Sequence, residues 1–359
     1  MAEPRAEVVI DLDAVRANVA RLVELAGPAE TMVVVKADGY GHGAVEVGRA
    51  ALEAGASWLG TAALAEALQL RAAGIDAPVL CWLDAVGTDM RAAADAGIDV
   101  SVSTVEQLKA ASGARLHLKV DTGLGRSGCP AALWPELVRA AAESGERVHA
   151  IWSHLACADV PGHPSIDAQA ERFARAYGEA LVAGLEPRRH IANSAATLTR
   201  PDLRFDMVRT GIAGYGLNPV PGGESLTPAM TFRSSVVSVK EIAAGESVSY
   251  GHTWTAERDT RLALVPVGYA DGVPRLLSGR FSVLLNGERR PVRGRVCMDQ
   301  IAVECDAATR PGDEVVLFGP GTRGEPTATE WAETIGTIDY EIVTGMYRSR
   351  VSRAYRGRR

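Results

Sequence analysis

Eight times between Met32 and Gly211, a short apolar run rich in valine, isoleucine and leucine gives way to an Ala-, Leu- and Glu-rich segment with helical spacing. Short apolar runs bounded by turns read as strands buried on both faces, and such strands belong to parallel sheets covered by helices. The runs are Met32–Ala37, Trp58–Ala62, Pro78–Leu83, Asp99–Ser103, Arg115–Asp121, Val148–His154, His190–Asn193 and Met207–Gly211. Segments such as GAVEVGRAALEAG and ALAEALQLRAAG fill the intervals. Eight alternating units over some 200 residues predict a (β/α)8 barrel of the TIM type, with an open doubly wound sheet as the alternative closure.

The texture changes at Leu226-Thr227-Pro228. Beyond it, runs such as RSSVVSVKEI, RLALVPVGY, FSVLLNG, IAVEC and DEVVLFG are separated by Gly, Pro and Asp turns, the pattern of a mostly β domain. The predicted organisation is a barrel over 1–228 and a mostly β domain over 229–359. An earlier run, EVVIDL at 7–12, predicts a strand that can pair with the second domain, followed by a helix with Asp13 as its N-cap.

A chain of 359 residues has room for one large and one smaller core, and 47% hydrophobic with 23% charged residues is ordinary for a globular enzyme. A net charge of −6 argues against general nucleic-acid binding. The opening MAEPRAEVVIDLD has charges where a signal peptide needs an apolar core, and no apolar run reaches membrane-spanning length, so a cytoplasmic protein is expected. The five cysteines (Cys81, Cys129, Cys157, Cys297, Cys305) show no CxxC pair and the seven histidines no HxxxH spacing, so neither a metal site nor a disulfide framework is indicated. The arginines at 348, 350, 353, 356, 358 and 359 read as a solvated last strand and frayed tail.

The chemistry concentrates at the strand ends. Val33 to Gly43 reads VVVKADGYGHG, a buried strand delivering Lys36 into a glycine-rich turn. A lysine there must emerge at the carboxyl edge, and apolar surroundings lower its pKa, freeing the amine as a nucleophile toward carbonyls. After the fifth barrel strand, DTGLGRSG at 121–128 fits GxGxxG. As a dinucleotide fingerprint it fails, because it follows the wrong strand and lacks the acidic partner. The sixth strand ends in Trp152-Ser153-His154; the seventh supplies His190, Asn193 and Ser194, and the eighth Arg209, Gly211 and Ile212. Loops after the last two barrel strands commonly hold a phosphate. The Ser194 hydroxyl and the N–H groups of Gly211 and Ile212 are suitable donors.

These motifs closely resemble those of the alanine racemase family, enzymes that use pyridoxal 5'-phosphate, and the likeness runs from EVVIDLDAVRANV to YEIVTGMYRSRVSR. The family more often has Asn-Ala where this chain has Asp38-Gly39, a departure on the turn. The resemblance implies that Lys36 carries the cofactor and that Tyr40, Ser194, Gly211, Ile212 and Tyr340 serve its phosphate. It places Arg209 at the pyridine nitrogen, supported by His154 and His190, with Asn193 also at the cofactor. It assigns Arg126 to the substrate carboxylate, for which a planar, permanently charged fork is suited. Lys119 is carbamylated in some members. Tyr250, within SYGHT, matches the second catalytic residue, and Met298, within GRVCMDQ, a backbone contact to the substrate; both come from the partner subunit of a homodimer. Asp159, Tyr269, Arg275 and Arg295 match a narrow substrate entrance. One base on each face of a planar intermediate suits racemisation directly. The rivals are racemisation of another amino acid, a barrel decarboxylase, which carries glutamate at the Arg209 motif, and a single-barrel cofactor-binding protein, which lacks the β domain and Tyr250.

Overall fold

The computed structural model describes residues 5–220, 222–346 and 348–358; Arg359, the end of the arginine-rich tail, lies outside the described residues. Two compact units emerge. One comprises Val15–Gly39 and Gly43–Leu226; the other gathers Thr227 onward with Tyr40–His42 and the N-terminal stretch up to Ala14.

The first unit is built on eight parallel strands. They are β2 (Glu30–Val34), β3 (Trp58–Thr61), β4 (Val79–Cys81), β5 (Asp99–Val102), β6 (Leu116–Lys119), β7 (Val148–Trp152), β8 (Arg188–His190) and β9 (Met207–Thr210). From β2 to β8 each pairs with the next in sequence, and β9 pairs with β2. The remaining gap is bridged by Asp206 N–H to Arg189 O at 3.2 Å and Arg209 N–H to Ala192 O at 2.9 Å. Strand order therefore returns on itself, and the nearly closed barrel excludes the open doubly wound sheet. Met32, Trp58, Leu80 and Met207 form a buried cluster from four of these strands. Apolar burial of this kind contributes roughly 25 cal/mol per Å² removed from water.

Two details depart from the sequence reading. The seventh barrel strand is Arg188–His190 rather than His190–Asn193, because the chain leaves the ladder there and the Asn193 side chain caps the helix Ser194–Thr199 by accepting from Ala196 N at 3.0 Å. The first helix, Leu12–Ala26, is capped by Asp11 rather than Asp13: Asp11 Oδ1 accepts from the N–H groups of Asp13 and Ala14 at 3.0 and 3.1 Å.

The second unit is organised on a nine-stranded sheet. Its strands are β1 (Ala6–Asp11), β10 (Met230–Ser235), β11 (Ser238–Ile242), β14 (Thr260–Val265), β15 (Ser282–Leu285), β16 (Glu288–Arg293), β17 (Ile301–Cys305), β18 (Glu314–Phe318) and β19 (Ser352–Arg356). The short pair β12 (Ser247–Val248) and β13 (Trp254–Thr255) stands apart. β1 lies antiparallel to β10 and parallel to β19, and its alternation buries Ala6, Val8 and Ile10. The run RSSVVSVKEI is not one strand; it breaks between Ser235 and Ser238.

Candidate active site

β2 ends at Val34, and two residues later Lys36 opens an unusual turn. Ala37, Asp38, Gly39 and Tyr40 all have φ between 51° and 62°, and Gly41 follows at 80°, so the chain makes a turn of left-handed helix. For L-residues this costs about 1–2 kcal/mol each. The turn is held by Gly39 N–H to Val35 O and Gly43 N–H to Asp38 O, both 2.8 Å, and by Asp38 Oδ1 accepting from Ala44 N at 3.0 Å. Glu66 accepts from Ala37 N at 2.6 Å and from the N–H groups of Ala62 and Ala63, fixing the start of the turn. Burial, followed by the positive charge of Arg126, pulls the Lys36 ammonium below its usual range, while Glu66 works the other way. More neutral amine is therefore present at working pH than on an exposed lysine.

Lys119, the last residue of β6, points into the barrel. It donates to Ser127 Oγ at 2.6 Å and lies 4.2 Å from the centre of the Trp152 ring. Burial, then the charges of Arg209 and Arg126, bring it down to about 8. Arg126 itself is exposed, on the glycine-rich loop that Asp121 organises by accepting from Gly123 N at 2.9 Å and Gly125 N at 3.2 Å.

Arg209, on β9, is 4% exposed. Its guanidinium donates to His190 Nδ1 at 3.1 Å, His154 Nδ1 at 3.2 Å, Ser153 O at 2.8 Å and Ile191 O at 3.4 Å. No carboxylate is among these partners, so a buried positive charge stands with only neutral acceptors around it. Burial brings it down to about 9, which still leaves it charged at neutral pH. Burial and the Arg209 charge hold His154 down at about 3 and His190 well below the ordinary imidazole range, so both rings are neutral acceptors. At the neighbouring loops Ser194 Oγ accepts from Gly211 N at 2.8 Å and Ala213 N at 3.4 Å, tying the chain after β8 to the short 3-10 helix Ile212–Tyr215.

Lys36, Lys119, Arg126, His154, Asn193, Ser194, Arg209, Gly211 and Ile212 thus belong to the barrel unit, as does Asp159. Tyr40, Tyr340, Tyr250, Tyr269, Arg275, Arg295 and Met298 belong to the β unit. There the rings of Tyr40 and Tyr340 meet at 6.1 Å, and Gly41 has no room for a Cβ, which would lie 2.5 Å from Val343 O. Burial raises the Tyr40 phenol far above its ordinary value, so it stays protonated as a hydrogen-bond donor. Tyr250 is 72% exposed, on a turn whose Ser249 Oγ donates to Arg295 O at 2.8 Å, and Met298 O accepts from Ala270 N at 3.0 Å. Glu66, Trp152 and His117 escaped the sequence reading as site residues. A capping acid three residues into a helix, an indole ending a strand and a histidine inside one carry no distinguishing spacing.

The positive set Lys36, Lys119, Arg126 and Arg209, which Glu66 and Asp121 partly offset, suits anionic ligands. A family model described as alanine racemase, N-terminal domain, matches residues 10–219, and one described as alanine racemase, C-terminal domain, matches 229–355. An alanine racemase of Thermobifida fusca is 53% identical over 368 residues, 98% of each chain. One of Salinispora tropica is 52% identical over 370 residues, 99% of each. The crystal structure of the alanine racemase from the D-cycloserine producer Streptomyces lavendulae superposes with a TM-score of 0.96 at 50% identity, covering 100% of this chain and 98% of that one. Likeness of this extent runs through the barrel and the β unit alike, and the chain belongs to the alanine racemase family.

Proposed function

We propose that the protein interconverts L- and D-alanine with pyridoxal 5'-phosphate as cofactor, working as a homodimer with shared active sites. The observation that carries this reading is Arg209, a buried cation surrounded by neutral acceptors, in the same barrel as a lysine whose amine is freed by burial. The donor set fits the cofactor. In the barrel unit Arg209 suits an unprotonated ring nitrogen, Ser194 Oγ and the N–H groups of Gly211 and Ile212 suit its phosphate, and Asn193 and His154 complete the surroundings; likeness to the family assigns the phenols of Tyr40 and Tyr340 to the phosphate as well. When bound, pyridoxal 5'-phosphate supplies an electron-withdrawing ring that acidifies the substrate Cα–H.

The protein residues then divide the work. Lys36 holds the cofactor and moves the proton on one face of the substrate; the partner subunit's Tyr250 moves it on the other. Arg126 orients the substrate carboxylate, together with the backbone of the partner subunit's Met298. Arg209 stays charged and keeps its proton, so the ring nitrogen facing it stays unprotonated, which limits how much charge the ring withdraws. Fast return of the proton, rather than transfer of the amino group, is the outcome such a site favours. A barrel decarboxylase would carry glutamate in place of Arg209.

The test is loss of optical rotation across a panel of L-amino acids. L-Alanine should racemise fastest, with larger side chains far slower. A protein that leaves L-alanine unchanged while racemising or decarboxylating another amino acid overturns the reading.

A further inference from the structure

Arg209 is one end of a buried wire that runs down the barrel interior. Its Nη1 donates to His190 Nδ1 at 3.1 Å; His190 Nε2 meets His117 Nδ1 at 2.9 Å; His117 Nε2 meets Asp99 Oδ2 at 2.9 Å. Both histidines are fully buried, and the Asp99 side chain is 2% exposed. Asp99 is the first residue of β5 and so sits at the amino end of the barrel, across from the Lys36 turn. Arg115 holds its carboxylate with Nε at 2.9 and 2.8 Å from the two oxygens.

The ends determine the middle. A guanidinium only donates and a carboxylate only accepts. Each imidazole between them must therefore accept at Nδ1 and donate at Nε2, and each must be neutral. Burial, the largest influence, also pushes both rings toward neutrality. Reversing either ring would set two donors, or two bare lone pairs, against each other in a site closed to water, where an unpaired polar group is costly.

We infer that Asp99 is a positioning residue for Arg209: acting through His117 and His190, it fixes the direction of this wire and thereby the orientation of the guanidinium. The inference rests on the role proposed above for Arg209. It assigns a task to a carboxylate at the far end of the barrel that touches neither substrate nor cofactor.

Substitution at Asp99 separates this role from the ion pair with Arg115. Asp99→Asn and Asp99→Leu both remove the charge that Arg115 pairs with, but only Asn keeps an oxygen that can accept from His117. Asp99→Leu is expected to lower kcat about tenfold with KM nearly unchanged, the range seen when a supporting hydrogen bond is lost, and Asp99→Asn to restore most of it. Proton-nitrogen spectra of the cofactor-loaded enzyme labelled in histidine should show His190 and His117 protonated at Nε2 in the wild type. A population protonated at Nδ1 should appear in Asp99→Leu. Should Asp99→Leu fail to fold, His117→Phe cuts the wire while sparing the Asp99–Arg115 pair, and it should lower kcat in the same way. Wild-type enzyme with either ring protonated at Nδ1 overturns the inference. So do equal losses in Asp99→Asn and Asp99→Leu, or undiminished kcat in His117→Phe. An enzyme that shows the Nε2 pattern but racemises nothing overturns the proposed function instead.

Discussion

The guanidinium of Arg209 lies 4.7 Å from the centre of the Trp152 ring, and that ring stacks on His190 at 5.6 Å with the planes 6° apart. The cation is thus held by an indole face as well as by its hydrogen bonds, an arrangement that suits a flat guanidinium and no shorter side chain. Replacing Arg209 with Glu exchanges a fixed donor for a group able to share a proton with the ring nitrogen. Racemisation should fall at least about tenfold, and pyruvate from transamination of alanine should accumulate. Coupled detection of pyruvate beside a chiral assay measures both. Wild-type racemisation with no pyruvate would show that Arg209 has a different task.

Lys119 offers a test by pH. Its ammonium is brought from an ordinary value of 10.5 to about 8, burial being the main cause. Between those two values the unfolded chain keeps a proton that the folded chain has released, so stability rises with pH across that window. Below about pH 8 the buried charge weighs on the fold throughout. Urea unfolding of the wild type and of Lys119→Met at several pH values isolates this contribution. The difference should move in favour of the wild type from pH 8 to 10; a difference that stays flat counts against the buried ammonium.

The chain has four lysines, at 36, 109, 119 and 240. Borohydride reduction of the protein loaded with pyridoxal 5'-phosphate should leave the label on Lys36 alone, because only that amine combines a lowered pKa with the left-handed turn at the end of a barrel strand. Peptide mapping decides. A label on Lys119 would transfer the nucleophile to β6, elsewhere in the barrel, and sink the assignment.

Sharing of sites between subunits can be read from mixtures. Lys36→Ala and Tyr250→Phe should each be nearly inactive, and refolding them together in equal amounts should restore about a quarter of wild-type activity, since half the dimers are mixed and half of their sites intact. If both residues act within one chain, no pairing creates an intact site, and activity stays at the level of the parents despite proven exchange.

Most strands of the barrel were legible because they are compact apolar runs with turn residues on both sides. β8 was the least so: Arg188-Arg189-His190 has no apolar signature, and the apolar Ile191-Ala192 that follows drew the prediction past the true end. Lys36, Arg209 and Tyr250 stood out through motifs. The wire to Asp99 did not, because one histidine inside LHLK and one aspartate opening DVSV look like any polar residue in a strand. Their meaning lies in register across β5, β6 and β8, and single strands do not encode register. The left-handed turn was likewise hidden, since Ala37 and Tyr40 are residues that favour the opposite hand.

The position of β1 has a consequence for biosynthesis. Ile10 pairs with Met230, 220 residues later, and Val8 pairs with Arg353 on the other side. At roughly 5–20 residues per second, a ribosome leaves β1 without its first neighbour for roughly 10–40 s. During that interval its alternating apolar face and both hydrogen-bonding edges are open, the kind of surface that recruits other unfinished chains. The barrel strands suffer less, since six of the seven ladders join strands consecutive in sequence. Aggregation during synthesis should therefore be governed by Ala6–Asp11, and a holdase that occupies this strand briefly would relieve it more than one acting on the barrel.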